Sequence, residues 1–253
     1  MTYSAATPAE VRALIRTGQL TAPTTGYCDG YAQGNLVVLP KALAWDFLLF
    51  CQRNPKACPL LEVTDAGQRS FSQFAPDSDI ARDIPRYRIY RNGELAEETT
   101  DVTHYFEERN DLVSFLIGCS FSFESALLEA DIPVRQIEEG VNVPMYNTNI
   151  PCTPAGVFSG NMVVSMRPIP YAQVPAAVAI TARQFKLVRP KPSASPTWLT
   201  RTMVTPSPSA PERRRCSGPA ESRPRQWSCT PNRRFASPMR RDICLSPMSK
   251  IPR

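Results

Sequence analysis

The feature that most limits what this chain can build is a break near residue 185, where periodically spaced apolar residues give way to proline, serine and arginine. Residues 186–253 contain 15 Lys and Arg against 3 Asp and Glu, a balance of +12, together with 12 prolines and 10 serines. Too few apolar residues recur there at helical or strand spacing to bury a core, so this basic segment is expected to be disordered. Residues 1–185 carry the opposite balance, −6. They are long enough for one domain burying about two-thirds of its unfolded surface, and the fold must be sought in them.

Within that stretch, helices and strands interleave. "TPAEVRALIRTGQL" offers Thr7 as N-cap, Pro8 at the first helical position and Glu10 to complete a capping box, with Val11, Leu14 and Ile15 on one face. "NLVVLP" reads as a short buried strand. "KALAWDFLLFCQRNP" places Leu43, Phe47 and Phe50 along a helix that must end before Pro55. "CPLLEVT" and "RYRIYRNGELAEE" read as strands, the second turning at Asn92 and Gly93 into a hairpin. "GNMVVSMRPIP" is a further strand, and "AQVPAAVAITARQF" a helix whose Pro175 suits only its first turn. The alternation argues an α/β class.

Several chemistries have no footing in these residues. There is no nicotinamide fingerprint, no Walker loop and no cluster of metal ligands. His104 is the only histidine, so it has no second imidazole with which to share a metal and is expected to be an exposed structural residue. The Cys51/Cys58 spacing is a poor zinc signal. Five cysteines, at 28, 51, 58, 119 and 152, lack paired short spacings, and no secretory signal or bilayer-length apolar run precedes them. The expectation is a soluble cytoplasmic protein with reduced thiols, no cofactor and no membrane contact.

The stretch from 115 to 168 concentrates polar groups that could do chemistry. In "LIGCSFSFESALLEA", Ser122 is placed to cap a helix carrying Ala126, Leu127 and Ala130, with Glu124 in its first turn where the helix dipole favours an acid. The free N–H groups of that helix start, with the hydroxyls of Ser120 and Ser122, could hold a carboxylate or an oxyanion. The plainer reading has Ser122 only capping and Cys119 as a small buried filler. "RQIEEGVNVPMYNTNIPCTPAG" then gathers Arg135, Glu138, Glu139, Asn142, Tyr146, Asn147, Thr148, Asn149 and Cys152 in what reads as a long polar loop. Such loops inside compact domains are disproportionately binding loops, although the glutamates could be solvated and the asparagines could build turns. Arg167 could clamp a carboxylate bidentately or pair with a structural acid.

These blocks also carry a resemblance. "LPKALAWDFLLFCQRNPKACPLLEVTD", "FLIGCSFSFESALLEADIPVR", "NVPMYNTNIPCTPAG" and "MVVSMRPIP" resemble, in order and spacing, the signature blocks of a bacterial hydro-lyase family also called the D-glutamate cyclase family, over about residues 1–183. The resemblance implies a three-layer α/β sandwich with a smaller α+β subdomain, and a lyase activity that releases water. For the related cyclases it implies closure of D-glutamate to 5-oxo-D-proline. A small carboxylate or amino acid would then be the substrate, with a homo-oligomer left open. Ring closure needs one carboxylate held, the other polarised and the amine's proton accepted. On that chemistry Arg167 and the Ser120/Ser122 turn, beside Cys119, are expected to bind the anion, Glu138 or Glu139 to act as base, and Tyr146 or Asn149 to polarise.

The resemblance stops at the composition break. Family members continue with blocks like "FWACGVTPQ" and "THAPGHMF". If each codon is rebuilt from the third base of one present codon and the first two of the next, the junctions from Cys216 to Ser222 permit "FWACGV" and those from Ser237 to Leu245 permit "THAPGHMF". The basic tail is therefore expected to be an out-of-frame reading, which would leave this chain short of its family's activity. Two alternatives stand beside the enzyme: a noncatalytic carboxylate-binding module, and a genuine arginine-rich arm for nucleic acid. Against the arm, the tail lacks RG or RS repeats and has few aromatic residues to stack on bases.

Overall fold

The computed structural model describes residues 5–182 and 199–201. Most of the region 186–253 expected to be disordered thus lies outside the described residues, and the boundary at residue 185 with it.

The first helix, α1 (Pro8–Arg16), starts as its residues dictate. Thr7 is the N-cap, its hydroxyl accepting from the Glu10 amide while the Glu10 carboxylate accepts from the Thr7 amide at 2.7 Å. Val11 and Ile15 pack with Leu20 and Cys28 into a small cluster. From the same helix, Arg12 and Arg16 reach the fully buried Asp83 carboxylate, which ties the helix to the segment beyond the main sheet.

Three strands build that sheet, in the order β1 (Gly34–Pro40), β5 (Leu112–Gly118), β2 (Leu60–Val63), with both pairings antiparallel. β5 is buried along nearly its whole length, as an apolar run interrupted only by Ser114 implies for a central strand covered on both faces. Its alternation sorts the two sides. Leu112 and Leu116 join Phe71, Ile80, Ile84 and Tyr87 in one cluster. Val113, Phe115 and Ile117 face the other way, onto Phe47, Phe50 and Cys51 of α2 (Lys41–Arg53). Phe115 and Phe47 meet edge to face at 4.9 Å between centroids. Helix α2, sheet and the 71–106 segment therefore stack as layers, in keeping with the mixed α/β class. The strand pairings of the described residues are all antiparallel.

The expected hairpin is β3 (Tyr87–Arg91) with β4 (Glu94–Thr99). Asn92 and Gly93 both take positive φ, 52° and 85°, the geometry a two-residue turn needs to match strand twist. Helix α3 (Thr103–Glu108) follows, with His104 exposed on it as expected.

Two local expectations give way. Ser122 caps no helix: Ser120–Phe123 form a turn of 3-10 helix, and α4 (Glu124–Glu129) begins behind Phe123 without a side-chain cap. The polar stretch after 135 is also not a loop. It folds into α5 (Arg135–Glu138) and a seven-residue strand, β6 (Met145–Pro151). β6 is held between β7 (Asn161–Ser165) and β8 (Leu199–Arg201), the latter a short strand from within the basic segment. Long-range pairing supplies the order that asparagine-rich sequence does not announce. α6 (Val174–Thr181), with Pro175 in its first turn, packs Ala177 against Phe123, Leu127, Ile132 and Val134.

Among the described residues no helix is long and apolar enough to cross a membrane, no group of three ligating side chains could hold a metal, and Cys28, Cys51, Cys58, Cys119 and Cys152 are all buried and unbridged.

Candidate functional site

The end of β5 is where the fold gathers buried charge. Gly118 and Cys119 turn the chain out of the sheet, the Gly118 amide donating to the Pro59 carbonyl and the Cys119 amide to the Gln33 carbonyl. The 3-10 turn then delivers Glu124 inward at the head of α4, 2 % exposed. Opposite it, two residues past the end of β7, Arg167 points back with its side chain only 7 % exposed.

These two form an ion pair. The Nε and Nη2 groups of Arg167 both donate to Glu124 Oε1, and Gln136 Nε2 of α5 donates to the same oxygen at 2.7 Å. Arg167 also donates to Ser120 Oγ at 3.1 Å and to Ser165 Oγ at 3.3 Å, and its guanidinium lies 5.0 Å from the Phe123 ring centroid. A planar fork suits this many fixed acceptors, and the aromatic face adds to it. Of the two options that the sequence leaves for Arg167, the structure adopts pairing with an acid.

Three donors converge on Oε1, while Glu124 Oε2 is buried and has no hydrogen-bond partner among the described residues. Glu124 lines a small recess whose other walls include Tyr27, Asp29, Tyr31, Gln33 and Ser125. The wall nearest the amino terminus is pinned in place by Gln33, itself 2 % exposed. Its amide donates to Ser122 Oγ at 2.7 Å, Ser122 Oγ donates back to its carbonyl, and its side chain joins Thr24 Oγ1 to the Tyr27 carbonyl. Ser122 thus positions the recess wall and does not face a ligand. Gly34 makes the close approach possible, because a Cβ there would lie 2.5 Å from Leu116 Cδ1.

The remaining sequence candidates spread out. Ser120 is the one hydroxyl of the "CSFSF" turn on Arg167. Cys119 is 2 % exposed among Phe121 and Val143. Glu138 and Glu139 sit on and just after α5, where Arg135 Nη2 reaches Glu139 at 2.6 Å and Nη1 reaches Glu138 at 3.8 Å, and neither lines the recess. Tyr146 is half-buried on β6, and Asn149 is exposed in the irregular part of that strand; both are also outside the lining. Sequence reasoning missed Glu124 as a site residue, along with the wall of residues 26–33. One signal was present, since Glu124 falls three positions before Leu127 on the face that α4 buries.

Comparison with known proteins bears on what such a site does. A sequence profile described as D-glutamate cyclase matches residues 113–194. A protein of Clostridium beijerinckii is 63 % identical over 187 residues, covering 74 % of this chain and 71 % of the relative. One of Stutzerimonas stutzeri is 58 % identical over 181 residues, 72 % and 68 % of the two chains, and one of Bacillus subtilis 60 % identical over 176 residues, 70 % and 68 %. All three bear the name "Putative hydro-lyase".

Proposed function

The chain belongs to the D-glutamate cyclase family, and from that premise we propose that its site performs a dehydration on a small amino-bearing carboxylate, with closure of D-glutamate to 5-oxo-D-proline as the specific reaction. The observation that carries this reading is Glu124: a buried carboxylate in the lining of a recess, with one oxygen fixed by Arg167 and Gln136 and the other without a donor among the described residues. A carboxylate so oriented can take up and return protons without having to reorganise.

Ring closure balances on such a group. The substrate nitrogen goes from an ammonium to an amide N–H and loses two protons. One oxygen of the side-chain carboxylate leaves as water and gains two. The nitrogen lone pair forms the new C–N bond as the C–O bond breaks. Glu124 Oε2 takes the first proton from the amine and returns it to the departing oxygen, and the second follows when the tetrahedral intermediate collapses. Tyr27 and Tyr31 are the hydroxyl-bearing aromatic residues of the recess lining and are assigned the polarising hydrogen bonds, in place of Tyr146 and Asn149. Arg167 acts through Glu124 as a positioning residue, and Glu124 takes the base role first sought in Glu138 or Glu139.

The test is formation of 5-oxoproline from D-glutamate by the purified protein and by Glu124→Gln. The substitution should lower kcat by about 10²- to 10⁴-fold; wild-type turnover in Glu124→Gln would remove the assignment. The aligned stretch spans 71 % of the Clostridium relative, which favours one second reading, ligand binding without turnover. Calorimetric binding of D-glutamate with no product formed would support that alternative.

A further inference from the structure

The segment "GYCDGY", residues 26–31, forms much of the recess, and its Asp29 has no role in the reaction above. Its backbone is unusual. Gly26, Cys28 and Gly30 have φ of 75°, 53° and 81°, and a left-handed conformation is costly for Cys28. Two anchors hold it: Cys28 is 1 % exposed and seated against Val11, Ile15 and Leu20, and the Tyr27 carbonyl accepts from Gln33. With Cys28 turned into the core, its neighbour Asp29 lines the recess, with part of its surface open to solvent.

The chemistry of the lining is one-sided. Among the described residues it contains two carboxylates, those of Asp29 and Glu124, with the Tyr27 and Tyr31 rings, and no Lys, Arg or His. Arg167 is not part of it, being engaged by Glu124 Oε1, Ser120 and Ser165. An anion therefore finds no cation to meet it here. Carboxylates do line it, and of these Glu124 has its Oε2 buried without a donor, so a donor-rich cation is the complementary charge.

We propose that this recess is the ammonium subsite, in which Glu124 Oε2 and the Asp29 carboxylate together receive a protonated primary amine, and that Asp29 is the residue by which the site prefers an amino acid to the same carbon chain without nitrogen. The identity of the amino acid rests on the functional reading above; the preference for an ammonium group does not. Burial of part of its carboxyl, and then the nearby charge of Glu129, raise the Asp29 pKa above its ordinary value. An arriving cation offsets both effects.

The experiment is titration calorimetry of the full chain with D-glutamate and with glutarate, for the wild type and for Asp29→Asn, with thermal melts to check folding. D-glutamate should bind the wild type at least about tenfold more tightly than glutarate, and Asp29→Asn should erase most of that ratio by weakening D-glutamate alone. Equal affinities in the wild type, equal weakening of both ligands in the variant, or binding of neither ligand would overturn the proposal. Tight D-glutamate binding that depends on Asp29 without any 5-oxoproline formed would uphold the subsite while removing the cyclisation. Turnover with an unchanged KM in Asp29→Asn would do the reverse.

Discussion

Removing Arg167 should destabilise the fold far more than its place past the end of β7 suggests, because of what it leaves behind. The side chains of the pair are 3 % and 7 % exposed. Arg167→Ala strips two charge-assisted donors from Glu124 Oε1 and leaves only Gln136 Nε2 on that oxygen, while Oε2 already lacks a partner. An uncompensated buried charge of this kind costs about 3–5 kcal/mol, and loss of the guanidinium over Phe123 adds about 0.5–2 kcal/mol. A drop of about 4 kcal/mol is the expected result. The second arm of the test is the double variant Arg167→Met with Glu124→Leu, which removes both charges and keeps apolar volume. If desolvated charge is the cause, the double variant should be more stable than Arg167→Ala by about 2 kcal/mol or more. Urea unfolding followed by tryptophan fluorescence and far-ultraviolet circular dichroism would measure both, with coincident transitions required. A loss below about 1 kcal/mol for Arg167→Ala, or a double variant at the sum of its single losses, would refute the reasoning.

Ser122→Ala should cost about 1–3 kcal/mol in the same urea assay, because it leaves the buried Gln33 amide without its acceptor; a neutral effect would mean that water replaces the hydroxyl. Gly34→Ala should cost about 1–3 kcal/mol through the 2.5 Å approach to Leu116 Cδ1, and Leu116→Ala in the same chain should cost less than it does alone. Glu10 accepts from the Thr7 amide and hydroxyl, which hold its pKa below the ordinary 4.5. Its contribution to stability is therefore complete above that ordinary value and lost as pH falls through the folded-state pKa; Glu10→Gln should flatten this part of the acid limb in urea midpoints taken between neutral and acid pH. Burial, and next the neighbouring Cys58, push the Cys152 thiol up to about 11, so labelling by a thiol reagent at neutral pH should be slow in the folded protein and fast in denaturant.

What could be read from the sequence is what short-range chemistry decides. The Thr7–Glu10 capping box, the stop of α2 before Pro55 and the Asn92–Gly93 turn each depend on residues a few positions apart. Ser122 was misread because its partner is Gln33, 89 residues away, and no local pattern announces such a bond. β6 was misread as a loop for a similar reason: "MYNTNIP" has little strand propensity of its own and gains its order from β7 and β8. Arg167 was legible as a candidate, but its partner was not. A glutamate in a first turn reads as a favourable dipole contact, and only the fold shows that this one is buried and aimed at a cation.

The pinning of Gln33 to Ser122 joins two stretches that the chain keeps far apart, and this bears on how the protein could be cut or rebuilt. The family profile spans residues 113–194, which includes Glu124, Ser125 and Arg167 but none of residues 26–33. An excised piece limited to that span would carry the ion pair and lack Tyr27, Asp29 and Tyr31. Two separately expressed halves, divided at the exposed Asn92–Gly93 tip, would each be incomplete, and reassembly of the pair would be the condition for any ligand to be recognised.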